Sequence, residues 1–270
     1  MVTLREALGI GDREVVAFVG AGGKTSAMFR LARELRADGA TVVVTTTTKI
    51  LLPASGSDLR VVVEADRSRL LAATVTAIEH GLLPVAARAA IPEGKLEGVP
   101  PEWIADLARL RGVTHVLVEA DGAARRPITA PREGEPVIPG SATIVVPIVG
   151  VDALGHLVSE VAHRPERVAA LTGLAASDRL DARAIARVLL DPRGNTSGAP
   201  DGARIVPVVN KADDPQRLRA ARELAAELRR AGAAHVVIAA LEAEHAVVEL
   251  SGDAVPQARA ADRWRGRRRP

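Results

Sequence analysis

Runs of apolar, mostly β-branched residues recur along the chain, and longer stretches of mixed polarity separate them. The runs are 14–20 (EVVAFVG), 40–46 (ATVVVTT), 59–65 (LRVVVEA), 114–120 (THVLVEA), 142–150 (ATIVVPIVG), 203–210 (ARIVPVVN) and 234–241 (AHVVIAAL). Several are apolar almost throughout, the pattern of parallel strands covered on both faces. Apolar positions at helical spacing predict helices over 25–38, 67–80, 101–111, 181–190 and 215–231. Gly39 and Gly232 fall where a C-cap would end two of these helices before the next strand. Strands alternating with helices predict an α/β fold, a doubly wound, mostly parallel sheet.

Two stretches break the alternation. Residues 121–140 are rich in Pro, Gly, Arg and Glu and read as a long ordered loop. Residues 152–202 read as a mostly helical insertion that closes in the turn-rich LLDPRGNTSGAPDGA. One domain over 1–262 is expected, with 263–270 a disordered basic tail.

Composition narrows the function classes. The formal charge of +3 is misleading, because the last eight residues carry five arginines and leave −2 on the remainder. Phe18, Phe29, Trp103 and Trp264 are the only aromatics, too few for a base-stacking platform, so no nucleic acid is expected as a partner. The absence of cysteine excludes disulfides and thiolate metal sites. No apolar run approaches the roughly 18 residues of a membrane helix. Charged residues also stand where a signal peptide needs an apolar stretch. A soluble, cytoplasmic protein is expected.

The first strand runs into VGAGGKTS. The long phosphate-loop pattern would need glycine at position 18, which is Phe18, and the dinucleotide fingerprint would need glycine at position 25, which is Thr25. What stands is a compact G-x-x-G-K-T loop, similar to the short phosphate loops of Mur-type ligases. Amides of Gly20, Ala21, Gly22 and Gly23, with Ser26 at the helix start, would cradle phosphates at a helix N-terminus. Lys24 would reach the terminal phosphates, and the Thr25 hydroxyl would meet Mg²⁺. The bland alternative, a tight strand-to-helix turn, explains the glycines but not Lys-Thr opening the helix.

Three later segments bear on the same chemistry. A threonine run, 45–48, ends the second strand, and Thr46 or Thr47 is a candidate metal contact with Lys49 nearby; plain strand extension is the alternative. In HVLVEADG, Glu119 and Asp121 end an apolar strand two residues apart, so both point the same way, as in an acidic strand end that holds Mg²⁺ and positions water. Arg125 and Arg126 could stabilise phosphate charge or simply be solvated. Finally, Asn210-Lys211-Ala212-Asp213 resembles the N-K-x-D guanine-recognition motif of GTPases, with Ala239-Ala240-Leu241 where those proteins carry a second base loop. A base site built on such polar contacts discriminates by roughly 10⁴ or more, because the wrong base leaves buried groups unpaired.

Together, VGAGGKTS, TTTTKI, VEADGAARRPITAPREGEPVIP, VGVDALG, HRPE and VVNKADD resemble the selenium-dependent hydroxylase accessory proteins, the YqeC-like group. That resemblance implies a role in maturing molybdenum hydroxylases, with such an enzyme or its cofactor-maturation proteins as partners. Neither VGVDALGH nor the His163-Arg164 pair has a chemistry derivable from sequence. The motifs predict a nucleotide site for GTP (or ATP) with Mg²⁺. Lys24, Glu119 and Asp121 would be catalytic, Thr25, Glu119 and the threonine run would hold the metal, and Asn210, Lys211 and Asp213 would read the base. A GTPase, an ATP-dependent small-molecule kinase or ligase, and a non-catalytic scaffold all remain compatible with these residues.

Overall fold

The computed structural model describes residues 2–252 apart from 54, 55, 57 and 93. The basic tail therefore lies outside the described residues. The main sheet runs Val247–Gly252, His235–Ala239, Val208–Asn210, Ile144–Gly150, Glu14–Gly20, His115–Glu119, Val42–Thr46, Leu83–Ala87, Leu59–Val63. All neighbours pair in parallel except the edge strand Val247–Gly252. This is the doubly wound, mostly parallel α/β sheet that the alternation predicts.

Side-chain alternation assigns the layers. Val16 and Phe18 face the helix Lys24–Ala37 and pack with Met28, Leu31 and Leu35. Val15, Ala17 and Val19 face the opposite side, against the helices Arg67–Glu79 and Trp103–Arg109. Farther along that second face, Val149, Val209, Val236 and Ile238 are covered by Pro165–Thr172, Ala182–Leu190 and Pro215–Arg230. The segment 152–202 thus contributes a helical layer to this sheet.

Two strands of the main sheet were not expected. Leu83–Ala87 contains three residues of weak strand preference, Pro84, Ala86 and Ala87, yet it is buried between two parallel neighbours. Tertiary burial outweighs local propensity there. Val247–Gly252 lies at the sheet edge with every second residue exposed. The run 203–210 also differs from expectation. It splits into Arg204–Ile205 and Val208–Asn210, because Pro207 has no N–H for the ladder. A separate three-stranded sheet, Lys49–Leu51, Lys95–Glu97 and Ala89–Ile91, stands beside the main one. Among the described residues no helix is long and apolar enough to cross a membrane.

Candidate nucleotide site

The strand carrying Phe18 ends at Gly20 and the helix starts at Lys24, so three residues make the loop. Phe18 is a strand residue buried in the core, which explains why the longer glycine pattern fails at that position. The loop is pressed against its surroundings. A Cβ on Gly20 (φ +87°) would lie 2.3 Å from the Ile148 carbonyl oxygen, and one on Gly22 (φ +77°) 2.3 Å from the Gly150 nitrogen. No side chain caps the helix at Gly23, so the amides of Lys24, Thr25 and Ser26 open it without an intrahelical partner.

The acidic strand end sits beside this loop. Strand His115–Glu119 pairs with Glu14–Gly20 on one side and Val42–Thr46 on the other, with Glu119 opposite both Phe18 and Thr46. The Thr25 hydroxyl lies 2.8 Å from Glu119 Oε2. Lys24 Nζ donates to the Gly20 carbonyl at 2.6 Å and lies 3.0 Å from Asp121 Oδ1 and 3.8 Å from Glu119 Oε1. Lys24 is 4% exposed and Asp121 1%. Burial alone would push Lys24 down, but the charges of Asp121 and Glu119 outweigh it and its pKa stands raised. Both carboxyls are raised, by burial first, with Lys24 drawing them partly back. Two buried carboxylates against one ammonium leave room for a further cation. Among the described residues no three His, Asp or Glu side chains form a metal cage. A single carboxylate and a hydroxyl beside the glycine loop would nevertheless suit Mg²⁺ if phosphate were bound there, since that ion takes most of its shell from phosphate and water.

A cavity of about 940 Å³ opens over this loop. Gly22, Gly23, Lys24, Thr25, Ser26 and Glu119 line one part of it; Asn210, Lys211, Asp213, Ala240 and Leu241 line another. Asn210 connects the two. Its Nδ2 donates to the Gly22 carbonyl at 2.8 Å, and its Oδ1 accepts from the Leu241 amide at 3.0 Å. Lys211 holds φ +68° with Nζ 2.6 Å from Asp152, and the half-exposed Asp213 carboxylate is held by Arg217 at 2.6 Å.

Other expected residues are turned elsewhere. The Gly20 amide donates to Asp121 Oδ2 at 2.7 Å and the Ala21 amide to the Ile148 carbonyl at 2.8 Å, so neither faces the cavity. Asp121 is occupied by Gly20 and Lys24 and does not line the cavity, which removes it from water positioning in this state. Thr46 and Thr47 do not line it either. The Thr46 hydroxyl donates to the Glu119 carbonyl at 2.8 Å and that of Thr47 to the Val137 carbonyl at 2.7 Å, because both face across to neighbouring backbone. Arg125 and Arg126 do reach the rim. Lys49 and His163 also line the cavity. His163 arrives through the pairing of Ala162–His163 with Ile128–Thr129, two short strands that local sequence pattern does not mark.

Residues 16–166 match the family described as YqeC protein. Over 212 residues the chain is 35% identical to the protein called "Uncharacterized protein YqeC" of Escherichia coli (strain K12), covering 78% of this chain and 80% of that protein. The chain belongs to the YqeC family. The family match spans the glycine loop, the acidic strand end and the loop to His163; the N-K-A-D segment lies beyond it. In this member of the YqeC family both halves meet in one cavity.

Proposed function

We propose that this YqeC-family chain is a guanine-nucleotide-binding protein that hydrolyses GTP with Mg²⁺. The observation that carries the reading is the shared cavity, lined at once by the G-G-K-T-S helix start and by Asn210, Lys211 and Asp213. Its volume suits a nucleotide. The helix N-terminus and Lys24 would hold the phosphates. Glu119 and Thr25 would hold Mg²⁺, which would neutralise charge on the phosphates. Asn210 would keep the base loop and phosphate loop in register, and Asp213 would accept from the guanine edge. The family resemblance supports a role as accessory or maturation factor for a molybdenum hydroxylase, with nucleotide state governing that partnership.

Phosphate release from GTP tests the hydrolase reading. Turnover should need Mg²⁺ and should fall by at least tenfold in Glu119→Gln; metal-independent turnover would contradict it. One observation favours a second reading, phosphoryl transfer to a small molecule. A neighbouring cavity of about 690 Å³, lined by Thr48, Arg88, Arg132 and Arg164, shares Lys49 and Gly122 with the first. Under that reading, turnover should appear only with an added acceptor.

A further inference from the structure

We propose that His163 is the general base of the nucleotide site, with Nε2 taking the proton of the attacking water. This inference rests on the nucleotide reading above. His163 lines the same cavity as Lys24, Thr25 and Glu119, the residues that would hold the terminal phosphate and its metal. Asp121, the expected water-positioning acid, is tied to the Gly20 amide and Lys24 and is turned out of the cavity.

The hydrogen bonds select the tautomer. His163 Nδ1 lies 3.2 Å from the Gly122 carbonyl oxygen and 3.3 Å from the Thr129 hydroxyl. A carbonyl can only accept, so Nδ1 carries the proton and Nε2 the lone pair. No residue among those described bonds Nε2. The backbone holds this arrangement under strain, because Arg164, the next residue, takes the left-handed φ of +67°. Ala124 and Arg125, on the facing loop, are left-handed too. Strained backbone of this kind persists where the surroundings over-determine it, typically at functional sites.

The charges around the ring favour the neutral base. Arg164 and Glu160 lie on its own segment, Arg125 and Arg126 on the loop after Gly122, Glu135 on the loop beyond, and Lys24 and Glu119 across the cavity. Burial first, then Arg164, and more weakly Lys24, push the imidazole below its ordinary 6.5 against the pull of the Gly122 carbonyl and Glu135. In the step itself, the water oxygen bonds to the γ-phosphorus as its proton passes to Nε2. The bond from that phosphorus to the β–γ bridging oxygen breaks, its electron pair leaving with GDP. The imidazolium then returns the proton to solvent.

The test combines turnover, binding and the ring's own titration. General-base catalysis contributes roughly 10²–10⁴-fold, so His163→Ala and His163→Gln should each lose about 100-fold or more in kcat with the Kd for Mg²⁺–GTP unchanged. Imidazole in the buffer should restore part of the rate to His163→Ala, and the acidic limb of the kcat–pH profile should vanish in both variants. Nitrogen NMR of the wild type should show the Nδ1–H tautomer and a pKa below 6.5. Turnover within a few-fold of wild type in His163→Gln, or the Nε2–H tautomer, would overturn the assignment while leaving nucleotide binding standing. Wild type that binds GTP without hydrolysing it would do the same. Failure of wild type to bind any nucleotide would overturn both.

Discussion

Lys24 has a structural role and a proposed one, which substitution can separate. It is the only cation within reach of Asp121 and Glu119 in the described site, and it is the charge a terminal phosphate would meet. Removing one partner of a buried pair costs about 3–5 kcal/mol, because the remaining charge stays buried. Lys24→Ala should therefore lower the urea midpoint and also weaken Mg²⁺–GTP binding by at least tenfold, since charge-assisted hydrogen bonds are worth about 1.5–3 kcal/mol each. Adding Asp121→Asn should recover much of the stability and none of the affinity; recovery of both would contradict a phosphate role for Lys24. The same cluster sets a pH dependence. Its carboxyls sit above their ordinary 3.8 and 4.5, so the folded protein keeps protons that the unfolded chain has already released. Their contribution to stability is complete below the ordinary values and is lost as pH rises through the raised ones. Lys24, raised above 10.5, contributes below that value and loses its contribution as pH climbs past its folded pKa. Denaturation followed across pH should show wild type losing stability above pH 3.8 more steeply than Asp121→Asn. Parallel curves would contradict it. The residue types at this site were legible in sequence, because Gly-Lys-Thr and paired acids are local patterns. Which of them turn inward was not: that Asp121 caps Gly20 and Thr46 bonds to the Glu119 backbone across the sheet depends on strand register, and that Thr47 bonds to the Val137 carbonyl depends on the path of the 121–140 loop.

At the scale of elements, the glycine loop is held by its neighbours as much as by its own sequence. Gly23 has φ +144°, and a Cβ there would lie 2.3 Å from Asn210 Nδ2. Gly23→Ala would displace the amide that ties Gly22 to Leu241. Gly39 offers the comparison, with φ +82° at a helix end and open space around it. Each alanine imposes left-handed strain of about 1–2 kcal/mol, so both variants should lose stability by thermal denaturation. Only Gly23→Ala should also weaken GTP binding, and equal affinity in the two would contradict the coupling through Asn210. The helices starting near residues 25, 67, 181 and 215 were readable from their apolar period, and in the structure Asp66, Asp181 and Asp214 cap the last three by accepting from first-turn amides. Strand Leu83–Ala87 was not readable, because Pro84 and the alanines prefer other conformations and only burial between two strands makes them one.

The whole molecule assembles the site by folding distant segments onto the carboxyl ends of the central strands. The first strand lies between His115–Glu119 and Ile144–Gly150, which puts the acids on one flank of the loop and Asn210 one strand beyond the other. Ligands in open α/β sheets bind outside the carboxyl ends of the strands, where the loop, Glu119, Asn210 and Ala240 all lie. Sequence order made the α/β class and its motifs legible. The pairing of Ala162–His163 with Ile128–Thr129, which brings a histidine to the cavity, comes from the long 121–140 loop folding back and has no local signature. The central claim is that phosphate loop and N-K-A-D segment serve one guanine nucleotide. Calorimetric titration of GTP and ATP with Mg²⁺, into wild type and Asp213→Ala, tests it most directly. The account predicts GTP binding at least tenfold tighter than ATP in wild type, with that preference lost in Asp213→Ala; tighter ATP binding, or GTP affinity and preference unchanged by the substitution, would contradict it.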